Sequence, residues 1–126
     1  MTTNGMETRV ERINPYLEVK DLSASLHYYS EVLGFDIYIQ VPTLGILTRD
    51  GHQIHLFQKD GEPNPGRIWV GVEDIAPLYK GYLSSDAVIH KGPTNYSWAY
   101  KMEVEDLDGN ILIFGSEPLD DIPFED

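Results

Sequence analysis

A chain of 126 residues suits one modest globular unit, long enough to hide roughly two thirds of its unfolded surface on folding. Its 41% hydrophobic and 24% charged residues are ordinary globular usage, and the absence of cysteine excludes disulfides, a thiolate nucleophile and Cys-ligated metal centres. Twenty-one acids against nine Lys and Arg give a formal charge of −12, which repels a phosphate backbone and sets nucleic acid aside as a partner.

The first patterned segment, Ile13 to Val19, reads as a strand with Ile13, Leu17 and Val19 on one face and Asn14, Tyr16 and Glu18 on the other. Asp21 then stands as an N-cap, and Leu22, Leu26, Tyr29, Val32 and Leu33 recur at helical spacing until Gly34, so a helix is expected over Leu22 to Leu33. Phe35 to Val41, Leu44 to Arg49 and Gln53 to Gln58 are apolar runs parted by Pro42-Thr43 and Asp50-Gly51-His52, which reads as three further strands. The order is βαβββ.

Glu62 to Gly66, with two prolines and a glycine, is a connector, after which the pattern restarts. Ile68-Trp69-Val70-Gly71-Val72 leads into Asp74-Ile75 as Leu17-Glu18-Val19 leads into Asp21-Leu22, and Ile75, Leu78, Tyr79 and Tyr82 mark a second helix with Pro77 in its first turn. Ala87 to His90, Trp98 to Glu105 and Asn110 to Gly115 supply three more strands, with Asp106-Leu107-Asp108-Gly109 as a hairpin turn. The expected fold class is therefore α+β: two βαβββ repeats, about residues 13–58 and 67–116 of a single domain 1–126, forming a curved mixed sheet around a concave trough with helices outside. Counting by two puts Asn14, Tyr16, Glu18, Arg67, Trp69, Ile111, Ile113, Lys101 and Glu103 in the trough and turns Met102 and Val104 towards the helix.

The last ten residues, 117–126, hold five acids and two prolines and read as an extended or mobile arm. No stretch reaches the roughly 18 apolar residues of a membrane span, and Met1 to Arg12 is polar, without a signal-peptide core. A cytoplasmic protein with no membrane partner is the expectation.

In this order and spacing, Val19-Lys20-Asp21-Leu22, His27-Tyr28-Tyr29, Leu33-Gly34-Phe35, Ile54-His55-Leu56-Phe57, the Ile68 to Val72 run with Leu78-Tyr79, Gly92-Pro93, Trp98 to Glu103 and Asp106-Leu107-Asp108-Gly109-Asn110 before Phe114 carry a resemblance. Over about Ile13 to Ser116 the chain resembles the glyoxalase/bleomycin resistance/dioxygenase (vicinal oxygen chelate) superfamily, and within it the bleomycin resistance proteins. Enzymes of that superfamily hold a divalent metal on the first strand of each repeat and near the end of the last strand, which the resemblance maps to Asn14, Arg67 and Ile113. An amide, a guanidinium and a hydrocarbon make no such site, so neither a metal nor any other cofactor is expected. His52 and His55 fall on opposite strand faces, and His27 and His90 lie elsewhere. There is no P-loop, G-x-G-x-x-G, G-x-S-x-G or H-E-x-x-H motif, and Glu18 with Glu103 is the one carboxylate pair open to acid/base work.

What the resemblance implies is a non-catalytic homodimer that binds and sequesters a planar drug of the bleomycin type in grooves between its subunits. Trp69 and Trp98 match the family's tryptophans and offer flat faces for stacking, with core packing as the alternative for each. A nearby acid favours a cationic ligand tail. The candidate ligand-binding set is Trp69, Trp98, Glu103, Lys101, Arg67, His55, Tyr16, Glu18 and Tyr38, with no catalytic and no metal-ligating residue. Tyr38 and Ile39 stand where some drug-binding relatives carry an acid and a phenylalanine. The alternatives are a metal-dependent glyoxalase, dioxygenase or thiol transferase with its ligands elsewhere, and an assembly module whose working part is the acidic tail.

Overall fold

In the first half of the chain, β1 (Tyr16–Val19), α1 (Leu22–His27), β2 (Asp36–Gln40), β3 (Leu44–Arg49) and β4 (His52–Gln58) follow one another; β5 (Arg67–Gly71), α2 (Ile75–Leu83), β6 (Val88–Asn95), β7 (Tyr100–Glu105) and β8 (Ile111–Ser116) repeat the order in the second. The computed structural model describes residues 6–126, so the first five residues of the polar N-terminal stretch lie outside the described residues. The expected mixed sheet is divided into two four-stranded sheets, ordered β1-β4-β3-β2 and β5-β8-β7-β6. In each the first and last strands of the βαβββ unit pair in parallel and the other pairs are antiparallel. The fold is α+β, two βαβββ modules.

Alternation decides which faces are core. Leu17 and Val19 on β1, and Met102 and Val104 on β7, are buried, while Tyr16, Trp69 and Lys101 lie on the opposite face of their strands. One apolar cluster joins the halves: Leu17, Leu26, Leu33, Leu47 and Leu56 from the first meet Ile75, Tyr82, Met102, Leu112 and Phe114 from the second. Ile13 and Asn14 precede β1 rather than belonging to it. Pro15 has no N–H to give a ladder, although its carbonyl accepts the His55 N–H at 3.0 Å.

The first helix is shorter than its apolar spacing predicts. Asp21 caps it by accepting the Ala24 N–H at 3.1 Å, but α-helical bonding ends at His27 and Tyr28–Val32 form a π-helical turn, closed by the Leu33 N–H on the Tyr28 carbonyl at 3.0 Å. The wider turn lets consecutive tyrosines both point inward. The Tyr28 hydroxyl donates to the Glu105 carbonyl at 2.7 Å and the Tyr29 hydroxyl to the Asp106 carboxylate at 2.8 Å, so the turn ties the first module to the second.

The expected Asp106 to Gly109 hairpin turn is present, with Gly109 at φ 83°, and it also joins the modules. Asn110 is fully buried: its amide donates to the Glu18 carbonyl and to Asp106, both at 2.9 Å, and its oxygen accepts the Gly66 N–H at 2.7 Å. Every polar atom of that side chain is satisfied, as a buried amide requires.

The acidic tail is docked rather than a free arm. Asn95, 3% exposed, donates from its amide to the Leu119 and Ile122 carbonyls and accepts the Leu119 N–H, each at 2.9 Å, while the Glu125 N–H reaches the Asn95 carbonyl at 2.8 Å. Among the described residues no helix is long and apolar enough to cross a membrane.

Candidate functional site

The open face of the second sheet brings the two tryptophans together. Trp69 extends from β5 across β8, where its register partner is Ile113, and its indole lies over Gly115 and against Gly71. The two glycines are register partners themselves and leave room that any side chain would fill. Trp98 is not on a strand: β7 begins at Tyr100, and residues 96–99 form a tight loop closed by the Tyr96 N–H on the Ala99 carbonyl at 2.8 Å. From that loop its ring stands 5.9 Å from Trp69 and 6.1 Å from Tyr96, centroid to centroid. Trp69 is 49% and Trp98 61% exposed, so neither is spent on the core. The core-packing alternative is set aside for both.

Cations border these rings. The Lys101 ammonium lies 5.1 Å from the Tyr96 centroid and 5.6 Å from that of Trp98, and Lys91 lies 5.4 Å from Tyr96 while donating to its hydroxyl at 2.6 Å. That hydrogen bond raises the Lys91 pKa and keeps the ammonium charged. Glu103, 7% exposed, sits among Arg67 at 3.1 Å, Lys101 at 3.5 Å and His90 at 3.8 Å; His90 also faces Glu105 at 3.3 Å. The acid meant to attract a cationic ligand is therefore already engaged. Ile111, which shares the face, is buried, so of the expected β8 pair only Ile113 retains partial exposure.

The remaining expected residues lie on the first sheet. Tyr16 pairs in register with His55 and stacks on Phe57 at 5.7 Å, and His55 Nε2 is 3.2 Å from Gln53 Oε1. Glu18 accepts the Asn64 N–H at 2.8 Å and pairs with Lys59 at 3.5 Å, which fastens the inter-repeat connector; those bonds, the backbone N–H first, lower its pKa. Tyr38 is exposed on the edge strand β2. Thus Trp69, Lys101, Arg67 and Glu103 are assembled on the second sheet with Trp98 on the loop beside them, and Tyr16, His55, Glu18 and Tyr38 lie on the first. Tyr96, Lys91 and His90 join the first group without having been expected. The alternation of aromatics at 96 and 98, beside lysines at 91 and 101, was the available signal.

A cleft of about 890 Å³ runs between the modules, with Asn14 and Gln53 on one side and Trp69, Val70 and Gly71 on the other. The metal positions implied by the fold do not fit a metal. Asn14 hydrogen-bonds Gln53 at 3.4 Å, Arg67 holds Glu103, and Ile113 has no donor atom. Among the described residues no group of three or more His, Asp or Glu side chains is placed to hold one.

A sequence model described as the Glyoxalase/Bleomycin resistance protein/Dioxygenase superfamily matches residues 10–114. Among solved structures, a bleomycin resistance determinant encoded on the transposon Tn5 is 22% identical, with a TM-score of 0.76 over 87% of this chain and 100% of that one. TnmS3, an antibiotic binding protein from Streptomyces sp. CB03234, is 18% identical, with a TM-score of 0.76 over 87% and 98%. Lactoylglutathione lyase from Agrobacterium tumefaciens is 16% identical, with a TM-score of 0.72 over 86% and 95%. At these identities the likeness is one of fold. A search of curated proteins finds no match.

Proposed function

The chain belongs to the Glyoxalase/Bleomycin resistance protein/Dioxygenase superfamily, and from that premise we propose that it is a binding protein that sequesters a planar aromatic small molecule of the antibiotic type, without transforming it. The observation that carries this reading is the half-exposed row of rings formed by Trp69, Trp98 and Tyr96. Trp69 over its glycine floor, with Trp98 and Tyr96 held beside it on the 96–99 loop, gives aromatic stacking area at little entropic cost. The superfamily includes enzymes as well as binding proteins, and the amide, guanidinium and hydrocarbon at the metal positions favour the binding role. The fold likeness to a bleomycin resistance determinant and to an antibiotic binding protein supports the ligand class. In this reading two subunits form the grooves, in the cytoplasm, and ligand held there is kept from its target by mass action.

The test is a titration with bleomycin and with flat polycyclic drugs, read by tryptophan fluorescence and calorimetry, with metal content measured on the same sample. Saturable quenching by at least one ligand is expected, with the ligand recovered unchanged. Trp69→Ala is expected to weaken that binding by at least about 1 kcal/mol, as loss of a stacking anchor does. Stoichiometric bound metal together with turnover would replace this reading with an enzymatic one.

A further inference from the structure

Resting on the planar-ligand reading, we propose that the molecule stacked on Trp69 and Trp98 carries an acidic group, a carboxylate, sulfonate or acidic phenol, that the Lys101 ammonium and the Arg67 guanidinium receive. The two cations share one carboxylate, Glu103, which also faces His90. Glu105 is directed to His90, and the Asp126 carboxylate of the tail is taken by the Ser97 N–H and hydroxyl. Glu125 contributes to the field at Lys91. Lys101 and Arg67, two cations, thus share the one carboxylate that pairs with either of them among the described residues.

The ring faces point the same way. A cationic ligand stacks well where a ring face is free of charge, but here Lys101 already lies over Trp98 and Tyr96, and Lys91 over Tyr96. An incoming cation would displace an ammonium and meet a like charge at short range. An acid at the edge of the stacked ring would meet an ammonium whose side chain is only 14% exposed, where screening by water is weak. The whole molecule, at −12, pulls the other way. A preference for anions would therefore come from the local arrangement alone.

Three ligands with one ring system separate these forces: 9-aminoacridine as the cation, acridine as the neutral form and acridine-9-carboxylate as the anion, each titrated by tryptophan quenching and calorimetry at neutral pH. The carboxylate is expected to bind at least about tenfold tighter than the amine. Lys101→Met should close that gap, and Lys101→Arg should keep it. If Lys101→Met does not fold, Arg67→Met serves, with the same expected narrowing. Tighter binding of the amine, or a gap unchanged in the charge-removing variants, overturns the acidic-ligand inference and leaves the planar-ligand reading standing. Absence of binding by all three acridines and by bleomycin overturns both.

Discussion

A Cβ placed on Gly115 would overlap the six-membered ring of Trp69, so the smallest substitution at that position, Gly115→Ala, must swing the indole off the sheet. Neither Gly115 nor Gly71 has a positive φ; the glycines are there for the space they leave. The outer face of Trp69 is open, so the ring can move, and the cost to folding should fall at the low end of the roughly 1–3 kcal/mol typical of overpacking. The cost to binding should be as large as that of Trp69→Ala, because a displaced indole leaves its place 5.9 Å from the Trp98 ring. Calorimetric titration alongside urea denaturation checks this. A variant that binds planar ligands as tightly as the parent chain would show that the flat seating of Trp69 is irrelevant to the site.

At the scale of elements, the loop that carries Tyr96 and Trp98 is held by the chain's last ten residues. Asn95 makes three hydrogen bonds to the 119–122 segment, and Asp126 takes both the N–H and the hydroxyl of Ser97. Asn95→Ala leaves two carbonyls and an N–H without their partner, at about 1 to 3 kcal/mol, and should release the tail and raise collisional quenching of Trp98 by acrylamide. Quenching identical to that of the parent chain would mean that the tail does not steady the loop. This docking was not legible in the sequence, because Asn95 binds backbone groups and a row of acids with two prolines carries no periodicity to betray it. Trp98 reads as part of a strand for a related reason: apolar residues run without a break from Trp98 to Tyr100, and it is the Tyr96 to Ala99 bond that marks the loop. Where one face is core the reading was secure, as with buried Met102 and Val104 alternating with Lys101 and Glu103 on β7. The π-helical turn was hidden because Tyr29 continues the helical spacing, and only the burial of Tyr28 beside it requires the wider turn. Burial, the leading cause in each case, raises the pKa of Tyr28, Tyr29 and Tyr82, that of Tyr82 to about 12. An acid whose folded pKa lies above its unfolded value of about 10 stabilises the fold fully below that value and loses the contribution as pH rises through the folded pKa. Thermal stability should accordingly fall from about pH 10 upwards, with tyrosinate absorbance rising together with unfolding. Ionisation of all eight tyrosines near the ordinary value, well before unfolding, would contradict the burial of these three.

For the molecule as a whole, the first sheet leaves more apolar surface open than packing within one chain explains. β2 is an edge strand exposed along its whole length, with Ile37, Tyr38 and Ile39 exposed on it and Val41 exposed just beyond its end, and on β1, the opposite edge of the same sheet, Tyr16 is 54% exposed. Large apolar side chains contribute about 1.5–3 kcal/mol each when fully buried, so these residues together can offset the cost of association. The opposing force is the charge of −12 on each copy. Surface charges are screened beyond roughly 8 Å at physiological ionic strength, whereas apolar burial is not weakened by salt, so the balance should tip towards a dimer as salt is added. Sedimentation equilibrium at micromolar concentration is expected to give twice the chain mass at about 0.15 M salt and a lower average mass at about 0.01 M. Ile39→Glu should shift the population to monomer. If the grooves are completed across that interface, the same variant should weaken planar-ligand binding although it touches none of the rings of the second sheet. A monomeric Ile39→Glu protein with undiminished affinity would place the whole binding site within one chain.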